Sequence, residues 1–447
     1  MSDVRAISCE SLNNYKEFYL NNPMSKVATK AMSKATVEDV CYDTPNAAKM
    51  NHKFSIEIPT MPVCNQMSSG RCWLFSALNV LREEIKKKIN VENIEISQNY
   101  ISYFDKLEKA NFFLETIIET SDKPADDRLV NWMLNAPVSD GGQWDMFVGL
   151  VKKYGLVPKE AMPETYQSSH TSSMNRIINS KLRKNAVELR KMAEDKKNEK
   201  DIRARKDEML NEVYNILSIC LGNPPKTFDF EYVDKDKAYH VDRNLTPMSF
   251  YEKYIGVNLD EFVSIINAPT ETKPFNKVYT VDHLGSVIEA EPICYLNLEI
   301  SEFKKIIVEQ LKNNELVWFG CDTGKFGCGS EGIWDTAIYD YETPFGIDLE
   351  MSKGDMLDYG QSSMGHAMVI TGVNLVDGKP DKWKIENSWG DGEGRGNKGY
   401  YIMSDEWFER YVYQACINKK YLSDEQKSIL DEDRIVLAPW DPMGTLA

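Results

Sequence analysis

From Arg71 onward the apolar positions Leu74, Leu78, Leu81 and Ile85 fall on one stripe, the spacing of an amphipathic helix, and the charged run EEIKKKIN closes it. A second helix is predicted from Asn99 to Thr120, with Ile101, Phe104, Leu107 and Phe112 or Phe113 turned inward. A third covers WDMFVGLVKKY (144–154) and is stopped by Gly155 and Pro158. Between about Tyr166 and Leu221 the pattern predicts long charged helices. One carries Ile178, Leu182, Leu189 and Met192, the next Leu210, Val213, Leu217 and Cys220, and Gly222-Asn223-Pro224-Pro225 ends the region. FDFEYV and KVYTV follow as β-prone pieces. Ser301 is the expected N-cap of a further amphipathic helix, SEFKKIIVEQLKNN, which leads into apolar ELVWFGCD. Beyond it HAMVITGVNLV, KWKIENSW and GYYIMS read as strands separated by glycine-rich turns. Residues 1–60 form a polar extension with a short helix (SLNNYKEFYLN) and an extended IEIPTMPV segment. Helices come first and strands later, which predicts an α+β protein with a helical lobe facing a sheet or barrel lobe.

The chain has 447 residues, enough for one elaborated domain or several lobes. Its net charge of -16 argues against nucleic acid as the main partner. No apolar stretch approaches the ~18 residues of a membrane span, and MSDVRAISCESLNNYKEF lacks the marks of a secretory leader, so a cytoplasmic protein is expected. Nine cysteines, an odd and scattered set, fit reduced buried thiols rather than a disulfide scaffold. No C-x-x-C occurs and the five histidines never cluster, so neither a metal nor a cofactor is expected.

Chemistry concentrates in two stretches. In the first, a glycine-containing loop, Gln66-Met67-Ser68-Ser69-Gly70-Arg71, delivers Cys72 to the first turn of an apolar helix. Unpaired backbone N–H groups and the positive end of the helix dipole favour a thiolate there, so the thiol is expected to titrate below ~8.5. Taken alone, a cysteine beside Trp73 and Leu74 is more often packing. The second stretch shifts the balance: Gly365-His366 opens a strand, and Asn387-Ser388-Trp389-Gly390 follows 21 residues after the histidine. Together they supply a nucleophile, a base and an amide to orient the base. Two other matches fail: Gly394-x-Gly396-x-x-Gly399 feeds a strand rather than a helix, and Asp391-x-Glu393-x-Arg395 carries arginine where a calcium loop needs oxygen.

On these residues the sequence resembles the papain-like cysteine peptidases, and within them the bleomycin hydrolase or aminopeptidase C family. Gln66, Cys72-Trp73, His366 and Asn387-Ser388-Trp389-Gly390 stand in the family's order, and DGGQW, VWFGCD, ENSWGDG and the terminal PWDPMG…LA extend the resemblance over essentially the whole chain. It implies a two-lobed papain-like fold, a helical lobe plus a β-barrel-like lobe, with a large helical insertion and a C-terminal arm. The expected boundaries are 1–60 for the extension, 61–165 for the helical lobe, 166–290 for the insertion, 291–425 for the β-rich lobe and 426–447 for the arm. The insertion would absorb the 294 residues between Cys72 and His366, against ~130–150 in secreted relatives.

The implied roles are Cys72 as nucleophile, His366 as its acid–base partner and Asn387 as the group that orients the imidazole. Gln66 with the Cys72 N–H would form the oxyanion hole. Trp389 would shield the Asn–His bond, and Asp140, Gly141, Gly142 and Gly365 would line the substrate cleft. The C-terminal arm would lie in the cleft, with the Ala447 carboxylate pairing with a substrate's α-ammonium. The resemblance therefore implies a cysteine aminopeptidase acting on peptides with a free N-terminus, assembled as a homohexamer; the alternatives are a papain-like endopeptidase, or a peptidase that also binds nucleic acid. Residues 176–208 hold twelve Lys/Arg and seven Asp/Glu, but their interleaving predicts ion pairs on a wet surface.

Overall fold

The structure is a computed structural model that describes residues 6–446. The helix that carries the cysteine spans Cys72–Ile89. Arg71 precedes it without a side-chain cap, so the first N–H groups stay available, while three lysines sit in the last turn where the dipole favours cations. Its first two turns, Cys72 to Asn79, are buried on every side, because the helix lies between the rest of the helical lobe and the His366–Val376 strand. Helices Gln98–Glu119 and Trp144–Tyr154 pack beside it.

The charged stretch forms two helices, Ser172–Glu194 and Glu199–Leu221. Ile178, Leu182, Leu189, Val213 and Leu217 are buried, and they pack against Gln98–Glu119 rather than standing free. Met192, Leu210 and Cys220 lie at the margin of the same core.

Twelve strands among the described residues make the main sheet. Its centre runs antiparallel in the order Phe262–Ile266, Val412–Asn418, Val317–Cys321, His366–Val376, Lys379–Glu386, Tyr400–Ser404. Tyr295–Asn297, Lys277–Val281 and Ile435–Leu437 continue it beyond Phe262–Ile266. Strands at 262–266 and 277–281, read from the sequence as part of the 166–290 insertion, thus lie in the main sheet. FDFEYV pairs instead with Tyr239–Leu245 as a separate hairpin. A second core, with Phe303, Trp383, Trp407 and Phe408, fills the space between the sheet and the helix Ile300–Lys312. Ser301 does not cap that helix: Glu299 holds the N-cap position and Ile300 is already helical, because the chain leaves the Tyr295–Asn297 strand and enters the helix within three residues. No helix among the described residues is long and apolar enough to cross a membrane.

Candidate active site

Cys72 is the first residue of its helix, and its Sγ accepts the backbone N–H of Ala367 at 3.4 Å. The residue that follows His366 therefore touches the sulfur, and Ser76, one turn along the helix, donates to the Ala367 carbonyl at 2.9 Å. His366 opens its strand opposite Cys321, with Nε2 2.8 Å from Asn387 Oδ1. A carbonyl oxygen only accepts, so this contact places the ring hydrogen on Nε2. Asn387 Oδ1 also takes the Ser388 N–H at 2.8 Å. The Trp389 ring lies 4.9 Å from the imidazole, tilted by 32°.

Gln66 is buried and tied to the Asn-Ser-Trp-Gly turn. Its N–H donates to the Ser388 carbonyl at 2.8 Å, and its Oε1 accepts from Ser388 Oγ at 2.6 Å. One amide hydrogen serves the Ser69 carbonyl, which leaves the second for a ligand. Gly142 is buried against the residue after the cysteine: a Cβ there would stand 2.5 Å from the Trp73 ring. Its N–H donates to the Leu446 carbonyl at 3.0 Å. Gly365 is exposed, with open space where a Cβ would be. Asp140 sits beneath this wall rather than on it. Its carboxylate takes hydrogen bonds from Gly70 N–H, Lys106, Thr171 and Asn175, and its carbonyl takes the Trp73 indole N–H at 2.7 Å. Gly141 likewise gives its carbonyl to Lys109. Ala447 lies outside the described residues; the arm is described as far as Leu446, which is buried near Gly320 and Met364.

The sequence profile of the Peptidase C1-like family matches residues 6–444. The chain belongs to that family. It is 46% identical over 446 residues to "Aminopeptidase C" of Lactobacillus delbrueckii subsp. lactis, covering 99% of both chains. It is 41% identical over 419 residues to "Bleomycin hydrolase" of Homo sapiens, covering 92% of both. A crystal structure of PepW from Lactobacillus rhamnosis HN001 superposes with a TM-score of 0.97 at 48% identity, over the whole of each chain. The enzyme class read from the sequence, a cysteine-type aminopeptidase, agrees with the family and with these names.

In this C1-like peptidase the electrostatics of the pair differ from the sequence expectation. Burial pushes the Cys72 thiol up to about 11, and the N–H groups of Ala367, Trp73 and Cys72 offset only part of that. Burial also lowers the His366 imidazole to about 4, against the favourable contact with Asn387. Burial thus acts on both groups in the direction that disfavours their charged forms.

Several residues that hold the site gave no local signal. Arg71 grips Glu164 through two parallel bonds of 3.0 and 2.8 Å and steadies the loop before the cysteine. Asn79 and Arg82, on the cysteine's helix, both reach Glu386 Oε1, at 2.9 and 3.1 Å, directly before Asn387. Trp318 donates to the Trp73 carbonyl at 3.1 Å. Within 176–208, Lys181, Arg203, Arg205 and Lys206 form ion pairs with Glu212, Glu115, Glu188 and Glu115, and Arg183 and Arg190 bind backbone carbonyls.

Proposed function

We propose that this peptidase removes N-terminal residues from peptides through an acyl-enzyme on Cys72. The observation that carries the reading is that the residue after His366 touches Cys72 Sγ while the His366 ring is held by Asn387, with Gln66 tied to the Asn-Ser-Trp-Gly turn. The Cys72 sulfur attacks the scissile carbonyl as its proton passes to His366. The resulting oxyanion lies between the Gln66 side chain and the Cys72 N–H, one of the donors that a helix start leaves without an internal partner. His366 then returns the proton to the departing amine, and water releases the acyl group. Asn387 keeps the ring in one orientation throughout. Trp389 limits water at their bond.

The restriction to chain ends is assigned to the arm. Its main chain hydrogen-bonds to Gly142 as an extended substrate would, so it fills the length of cleft where residues ahead of the first would lie. A carboxylate at Ala447, next in sequence, would meet the substrate's α-ammonium. A homohexamer and a cytoplasmic setting belong to the same proposal. The first rests on the family resemblance and is checked by light scattering; the second rests on nine free cysteines and is checked by cell fractionation.

The deciding assay is a panel of aminoacyl fluorogenic amides, free and N-acetylated, with and without reductant. Turnover of the free amines alone, abolished by thiol alkylation and by Cys72→Ser, is expected. Cleavage of both sets at similar rates would make it an endopeptidase. Gln66→Ala is expected to lower kcat by about 100- to 1,000-fold with KM little changed.

A further inference from the structure

The arm is held in the cleft by the burial of Met443 and Leu446 and by polar contacts of two kinds. Tyr295 OH donates to the Met443 carbonyl at 3.3 Å, Thr445 Oγ1 to the Met364 carbonyl at 2.9 Å, and Gly142 N–H to the Leu446 carbonyl at 3.0 Å. All three are neutral, and the last is of a kind that an incoming peptide's own main chain can replace. The other kind is an ion pair. Asp441, the single charged residue between Ala438 and Leu446, lies 2.9 Å from Lys273 Nζ, and only 3% of the lysine side chain is exposed.

Lys273 stands on a braced loop. Its carbonyl accepts Asn297 Nδ2 at 2.7 Å, and the same amide binds both the N–H and the carbonyl of Ala268, at 3.0 and 3.1 Å. On the arm, Asp441 Oδ1 caps the following turn through the Met443 N–H at 2.9 Å, while Oδ2 faces the lysine. Pro439 and Pro442 fix φ on either side. Trp440 is held separately, under the Arg128 guanidinium at 3.7 Å.

We propose that Lys273–Asp441 is the latch that sets how far the arm reaches into the cleft, making both positioning residues for exopeptidase specificity. The inference rests on the aminopeptidase reading above. A buried cation that loses its partner is costly to leave in place, whereas the hydrogen bonds beyond Asp441 exchange with substrate or water and leave the buried Met443 and Leu446 side chains as the arm's remaining hold. Freed at Asp441, the last five described residues would detach as a unit, and the cleft would accept peptides that continue past the amino end.

The test compares Lys273→Met, Asp441→Asn, Lys273→Arg and a chain lacking residues 438–447, each confirmed as folded by thermal unfolding, on free and N-acetylated aminoacyl amides. Asp441→Asn keeps the cap on Met443 and removes only the charge, so it decides the matter should Lys273→Met fail to fold. Expected for both is a KM for free-amine substrates raised about tenfold or more, kcat little changed, and new turnover of the acetylated set. Lys273→Arg is expected to retain discrimination. Unaltered discrimination in folded Asp441→Asn overturns the latch while leaving the arm's role standing if the truncated chain does lose discrimination. Unaltered discrimination in the truncated chain overturns the arm's role itself.

Discussion

Asp140 and Asp145 flank the same glycine wall, five residues apart, and both are largely buried, yet their pKa values are shifted in opposite directions. At Asp140 burial would raise the pKa, but Lys106 beside it and hydrogen bonds from Asn175 and Thr171 hold it well below the usual carboxylate range. At Asp145 burial wins and lifts the carboxyl to about 6. Its own N–H, that of Cys294, the Arg434 charge and Ser264 Oγ at 3.4 Å recover only part of the lost hydration. The number and charge of donors, not depth, decides whether a buried acid stays ionised. The same rule accounts for the raised Cys72 thiol: three backbone N–H groups without a cation offset only part of its burial.

The comparison can be broken most directly at Asp140. Asp140→Leu strands Lys106 without a counter-ion and Gly70 without an acceptor, and a loss of about 3–5 kcal/mol in denaturant unfolding is expected, with a fall in kcat. An equal loss in Asp145→Leu would remove the distinction. Asp145→Asn sharpens it. Because the folded pKa of about 6 lies above the ordinary value of 3.8, this carboxyl favours folding below the latter and loses that contribution as pH rises through about 6. The asparagine variant is therefore expected to exceed the parent by about 3 kcal/mol above pH 6 and to converge with it near pH 4. Unfolding curves at pH 4, 6 and 8 read the slope. Asn175→Ala is the smallest change, about 1 kcal/mol, since three donors remain on Asp140.

Much of this arrangement could be read before any coordinates. Leu74, Leu78, Leu81 and Ile85 marked the Cys72 helix because burial on one face leaves a periodic trace, and the same holds for Ile178, Leu182 and Leu189. Cys72, His366 and Asn387 could be grouped because their chemistry is complementary and their flanking motifs resemble a known family. What stayed hidden was pairing at long range. Nothing near Asp140 announces Lys106, Thr171 or Asn175 as its partners, and nothing near Lys273 announces Asp441. The expected low thiol pKa failed for the same reason: the helix start is a local feature, whereas the burial that outweighs it comes from the packing of the helix between the rest of its lobe and the His366–Val376 strand. Ser301 misled because Ser301-Glu302-Phe303-Lys304 lacks any mark distinguishing a cap from a first-turn residue.

Four ties run from the cysteine's helix to the sheet: Ser76 to Ala367, the Trp73 carbonyl to Trp318, and Asn79 and Arg82 to Glu386. They tie the two walls together from the helix that carries the sulfur to the residue before Asn387. On the proposed reading of the arm, the tolerance of the enzyme for different guests would then be set by one thin thread of chain rather than by breathing of the body.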